Sequence, residues 1–191
     1  MNIKPKPIGV VAIGEVPDIA PKVIAAHISG YLNLHATVLP SLEHPSYALD
    51  TQRLQYNVAT ILKQLEPIHF RGVSKVVCVL SVDLFVPLFT HVFGEARQGG
   101  KIALVSLFRL KDSPYERTSL SSEVLERTAK VALHELCHLY NLHHCDDNKC
   151  LMHFSGGLED LDTTPLFFCR YCSRFFSDAV QRHSPKVNPS K

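Results

Sequence analysis

The run HELCHLYNLHHC, from His134 to Cys145, places four of the chain's eleven histidines within eleven residues. The segment that carries them has to present several imidazoles to one point in space, and that demand shapes the fold around it. Upstream, Leu125, Ala129, Ala132, Leu136 and Leu139 recur at helical spacing as one continuous apolar face. Ser121 and Ser122 can cap such a helix, and Glu123 suits the positive end of its dipole. At ~100° per residue, His134 and His138 fall about half a turn from the apolar stripe. The stripe is therefore expected to pack on a sheet while the opposite side presents two imidazoles. Side chains at i and i+4 stack on one helix face, so both rings can reach a single ion. Glu135 stands beside them, angled off that face, where it can act on water at the ion without ligating it.

A tetrahedral catalytic zinc takes three protein ligands and keeps one position open. A straight helix would carry His143 and His144 out of reach, so the chain must turn. Asn141 is the place for the turn, because Asn accepts the left-handed conformation at a helix C-terminus. The stretch then fits H-E-x-x-H-x-x-G-x-x-H with Asn in the Gly position, which selects His144 as third ligand and leaves His143 as its neighbour.

The cysteines follow at once. Cys145 and Cys150 have four residues between them, Cys169 and Cys172 have two, and eighteen separate the pairs. C-x4-C…C-x2-C is the spacing of a closed four-cysteine zinc site, with two disulfides or four free thiols as the alternative. A closed site contributes folding stability, and because Cys145 follows His144 it would fix the backbone that delivers the third histidine. Cys78 falls in an apolar run and reads as core. Cys137 lies beside His134 on the helix, open either to contact with the metal or to simple packing.

Ahead of the helix the chain alternates. Ile8 to Val16 is a short apolar, β-branched run that reads as a buried strand, and a helix follows it to Leu32 with Pro17 and Pro21 near its start. His35 to Leu42 reads as a second strand. Leu54, Val58, Ile61, Leu62 and Leu65 mark one face of a second helix, and Ser74 to Phe85 reads as a third buried strand. This order predicts an α/β fold with a twisted, mostly parallel sheet. Phe89 to Phe108 looks like two strands around Gly99-Gly100, a hairpin that adds an antiparallel edge. Residues 1–144 then form a main body with the sheet and the histidine helix, and residues 145–191 a small zinc-stapled C-terminal subdomain.

Hydrophobic residues make up 46% of the 191 and charged residues 20%, which suits one compact domain with a real core. A formal charge of +2 gives no reason to expect a nucleic-acid or acidic-membrane partner. The only local excess is basic, around Arg182, Lys186 and Lys191, and reads as a solvated terminus. No stretch approaches the ~20 apolar residues of a membrane span. Close cysteine pairs are metal ligands in a reducing compartment, so the expected location is cytoplasmic. A monomer is the favoured assembly.

The helix, Cys145, Cys150-Leu151-Met152 and Cys169-Arg170-Tyr171-Cys172 together resemble the archaemetzincins, over His134 to Cys172. The resemblance implies a metzincin-like zincin fold with Met152 in a Met-turn beneath the catalytic zinc, a metalloprotease activity and a second, structural zinc. Asn141 departs from the family's usual Gly. The expectation is hydrolysis of a peptide or protein substrate at zinc held by His134, His138 and His144, with Glu135 as general base. An extended substrate would pair with the edge strand around Phe89 to Glu95. Endopeptidase and aminopeptidase remain open. The rival expectation is a non-catalytic zinc-binding interaction module, in which Glu135 has no purpose.

Overall fold

A computed structural model describes residues 6–111 and 120–183; Lys186 and Lys191 of the basic tail lie outside the described residues. The chain opens with β1 (Ile8–Ile13), α1 (Ile19–Leu32) and β2 (Ala36–Val38). It continues through β3 (Leu49–Asp50), β4 (Gln55–Asn57), α2 (Val58–Leu65), β5 (Lys75–Leu80) and β6 (Leu84–Phe85). After β7 (Gly94–Ala96) and β8 (Ile102–Ser106) come α3 (Ser122–Leu139), α4 (Leu158–Thr163) and α5 (Arg170–His183).

The main sheet has the order β2-β1-β5-β8-β7. All neighbours are parallel except β7, which runs antiparallel to β8 with Glu95 opposite Leu104. This is the mixed α/β sheet with an antiparallel edge that the sequence predicts. Every residue of β5 and β8 is buried, as befits central strands covered on both faces. One core layer joins the sheet to α1 and α3, through Val77, Val79, Ala103 and Val105. The other joins it to α2, through Val76, Cys78, Leu80 and Leu104. Leu151, Met152, Phe176 and Ala179 belong to the first of these layers, so the segment after the histidines packs on α3 itself.

Three local departures have physical causes. The second helix begins at Val58, not Leu54: Asn57 caps it by accepting from Thr60 N at 3.1 Å, and Leu54 is 75% exposed at φ 54° in the preceding turn. The expected strand from Ser74 to Phe85 breaks after Leu80. Asp83 is buried there, and its carboxylate takes two 2.7 Å hydrogen bonds from Arg109 and one of 3.0 Å from Gln55. Meeting those partners draws the chain off the main sheet into a second one, β3-β4-β6. The edge strand is also shorter than expected. Of Phe89 to Glu95 only Gly94 and Glu95 lie in β7, while Val92 makes an isolated bridge to Leu84.

The histidine helix departs from the picture of one packed and one open face. From Arg127 to Leu139 it is buried almost all round. The N-cap is Ser121, which accepts from Val124 N at 3.3 Å. The polar side is covered because its cations have partners: Arg127 Nε donates to Asp162 Oδ1 at 2.7 Å, and Lys130 Nζ reaches Leu161 O and Asp162 O at 3.1 Å each.

β7 approaches α3 so closely that only glycine fits at position 94. A Cβ there would lie 2.7 Å from Glu135 Cγ and 2.8 Å from both Leu104 O and Val131 Cγ1. Because one of those atoms is the backbone carbonyl of Leu104 in β8, Gly94→Ala should displace β7 from its place between β8 and the helix and cost about 1–3 kcal/mol, as overpacking does. Urea denaturation checks this, and an unchanged midpoint would show that the strand has room to spare.

Candidate metal centre and cleft

Helix α3 places His134 and His138 one turn apart, but His144 must be brought back to them. The helix ends at Leu139, and Asn141 takes φ 65°. Asn141 N donates to His138 O at 2.9 Å and Leu142 N to Cys137 O at 3.1 Å. These are the paired bonds of a Schellman ending, with the buried Leu142 as its apolar anchor. Two further donors reach the last carbonyls. Gly99 N bonds His138 O at 3.0 Å, and Lys75 Nζ bonds Leu139 O at 2.6 Å and Gly100 O at 3.0 Å. Lys75 also sits 4.7 Å over the Tyr140 ring. Burial, and then Lys101, lower its pKa to about 8, which leaves it charged at neutral pH.

The outcome is convergence. One ring nitrogen from each of His134, His138 and His144 lies within 4.8 Å of the others. His143 is exposed and outside this set. Nδ1 of His134 donates to Leu151 O at 2.9 Å, and Nδ1 of His138 to Leu142 O at 2.7 Å. Each bond places the proton on Nδ1 and leaves Nε2 free as a ligand atom. Burial pushes all three imidazoles below the usual histidine range, His134 down to about 3 with help from His138. Neutral rings, two of them anchored on their outer edge, are what a metal ion requires of such a set.

Glu135 is buried with its carboxylate raised well above the usual range, chiefly by burial and then by Glu95. It lines a cleft of about 450 Å3 together with the three histidines. One wall of the cleft is β7 and the segment before it, including Phe89 and Phe93; the other is formed by Phe154, Ser155 and Leu161. Gln55 and Arg53 hold the first wall through Thr90 O, at 2.8 and 3.4 Å.

Cys145, Cys150, Cys169 and Cys172 form a second cluster whose sulfurs also lie within 4.8 Å of one another. All six cysteines are free thiols. The Cys145–Cys169 separation of 3.8 Å matches the edge of a tetrahedron drawn with Zn–S bonds of ~2.3 Å, far from a disulfide of ~2.05 Å. Backbone N–H groups already point at the sulfurs: Met152 and Cys169 donate to Cys150 Sγ at 3.4 and 3.3 Å. The N–H of Cys172 on Cys169 Sγ lowers that thiol's pKa. The two clusters share backbone, since Cys145 N bonds Met152 O at 2.8 Å while Leu151 O holds His134. Met152 is fully buried in the core. Cys78 and Cys137 are fully buried core residues in neither cluster.

Lys75, Gly94 and Gln98, whose Nε2 donates to Leu142 O at 3.1 Å, are residues around the site that sequence reasoning missed. Gly94, a lone glycine within a strand-like run, carried a legible sign of close backbone approach. Lys75 and Gln98 carried none, because their partners are far away along the chain.

An open set of three neutral imidazoles with a buried carboxylate at its side places the chain among metal-dependent hydrolases. The family model described as Peptidase family M54 matches residues 23–177. The archaemetzincin of Archaeoglobus fulgidus is 35% identical over 153 residues, which cover 80% of this chain and 88% of the relative. The crystal structure of archaemetzincin from Methanopyrus kandleri superposes with a TM-score of 0.82 at 29% identity, covering 95% of this chain and 99% of that one. That of a zinc-dependent peptidase from Methanocorpusculum labreanum gives 0.78 at 25%, covering 88% and 99%. The chain belongs to peptidase family M54, the archaemetzincins, and is a zinc-dependent metallopeptidase.

Lys75 supplies the donor for Leu139 O at the turn that returns His144 and for Gly100 O in the turn between β7 and β8. Lys75→Met, which keeps length and removes the donor, should cost about 1–3 kcal/mol for the carbonyls left unpaired. Thermal unfolding of the metal-free protein reads this directly, and equal stability would show that the lysine does not hold the turn.

Proposed function

We propose that this chain hydrolyses peptide bonds in a metzincin-type active site, with His134, His138 and His144 holding a catalytic zinc and Glu135 as general base. The observation that carries the reading is the convergence of one ring nitrogen from each of three histidines beside a buried carboxylate that is itself no member of that set. When bound, a zinc in such a set acts as a Lewis acid on the scissile carbonyl and makes water a stronger acid. The chain's own residues do the rest. Glu135, its proton affinity raised by burial, takes the proton from the attacking water and hands it to the leaving amine. The substrate is a peptide or protein laid in extended form along the free edge of β7, with main-chain hydrogen bonds setting its direction.

The four cysteines hold a second, structural zinc, giving two per chain, and Met152 forms the Met-turn beneath the catalytic one. Residues 1–144 and 145–191 act as two parts of one catalytic unit. Four thiols in close pairs suit a reducing compartment, and cytoplasmic location follows from that chemistry. Among the described residues no helix is long and apolar enough to cross a membrane, and we take the working form to be a monomer without a nucleic-acid partner.

Glu135→Ala alters no ligand. It should keep wild-type metal content and lose ~10²–10⁴-fold in the rate of cleavage of a mixed peptide library. A variant as fast as wild type would remove Glu135 from the mechanism. A wild type fully loaded with zinc that cleaves nothing would favour the interaction-module reading.

Metal analysis of the wild type should give close to two zinc ions per chain. His144→Ala should give close to one, and His143→Ala close to two. The reverse order for the two histidines would mean that His143 supplies the third nitrogen.

A further inference from the structure

The turn between β7 and β8 reaches the end of α3, and the hydrolytic reading makes no use of that contact. Gly99, at φ 65°, is there for its backbone: a Cβ would lie 2.7 Å from Asn141 Oδ1. Its neighbour Gln98 places Nε2 2.9 Å from His138 Nδ1 and 3.1 Å from Leu142 O. Leu142 O is the same carbonyl that accepts from His138 Nδ1 at 2.7 Å. Three polar groups therefore close a triangle on the outer edge of one imidazole.

A neutral imidazole carries one proton, and the nitrogen that faces a cation must be bare. With Nε2 of His138 turned inward, Nδ1 keeps the proton and needs an acceptor held in a fixed place. Leu142 O lies past the left-handed turn, beyond the helical ladder. We infer that Gln98 is a positioning residue for the metal site: its amide donates to Leu142 O, the carbonyl that accepts the His138 Nδ1 proton, and so holds that acceptor in place and keeps Nε2 facing the ion. The inference rests on His138 being a ligand. Gln98 stands two residues beyond the end of β7 at Ala96, so the rim of the cleft and one metal ligand share a single turn.

Cobalt(II) titration of the full chain separates the two clusters, because only the cysteines give thiolate charge-transfer absorption. Gln98→Met keeps side-chain length and removes the amide. Its histidine site should bind Co²⁺ ~10–100-fold more weakly than wild type, the usual loss for a partner of a ligating histidine, with the cysteine site unchanged. Nitrogen NMR of the metal-free variant should show His138 in mixed tautomers where the wild type holds one. Gln98→Glu, which keeps the length but has no donor for Leu142 O, should weaken Co²⁺ binding as Gln98→Met does. Wild-type affinity and a single tautomer in Gln98→Met would overturn the assignment, and so would equal losses at both clusters. His138→Ala keeps the two ideas apart. Undiminished Co²⁺ binding there would sink the ligand reading itself, whereas lost binding beside an unaffected Gln98→Met overturns only the role of Gln98.

Discussion

The reversal of the chain at Asn141 is the constraint on which the rest depends. Two imidazoles one turn apart are a common product of any helix, but a third nitrogen within 4.8 Å of both requires the helix to stop and double back between His138 and His144. Stopping a buried helix leaves carbonyls without partners, each costly away from water. Here they are met by the paired bonds of Asn141 and Leu142, by Gly99, and by the Lys75 ammonium. Asn serves at φ 65° because its short polar side chain tolerates the left-handed region, where most residues with a Cβ are strained. A β-branched residue at this position would carry the full strain.

The four-cysteine cluster stands next to this turn in both sequence and space. Residues 150–152 contribute a sulfur to one cluster, a carbonyl for His134 to the other, and a carbonyl that takes the N–H of Cys145. Order in the cysteine cluster is thus order in the histidine one. The opposite side is built differently: β7 meets α3 without a side chain at Gly94, which lets Glu135 run beneath the strand and reach the cleft. Its carboxylate sits in a place that raises its proton affinity, as suits a base that must also release a proton to a leaving amine.

Much of this was legible in the sequence because it is local. The Ser121 cap and the left-handed Asn141 are local, and the chain places each where spacing predicts; the same spacing puts a ring nitrogen of His144, not His143, beside those of His134 and His138. The order of strands and helices was legible for the same reason. What escaped depends on contacts between distant segments. Asp83 ends a strand because Arg109 and Gln55 lie within reach of its buried carboxylate. The covered polar side of α3 was hidden in the same way, since nothing near Arg127 or Lys130 in sequence announces Asp162 and Leu161 as partners.

The central claim is that one ion belongs to His134, His138 and His144 and a separate ion to the four cysteines. A crystal structure of the zinc-loaded protein, with anomalous maps calculated from data on either side of the zinc absorption edge, tests it most directly. Two peaks per chain are expected, one bounded by ring nitrogens of the three histidines with Glu135 beside it and outside its ligand shell, the other enclosed by four sulfurs. A single peak, a histidine peak that includes His143, or a carboxylate oxygen of Glu135 bound to the ion would contradict it.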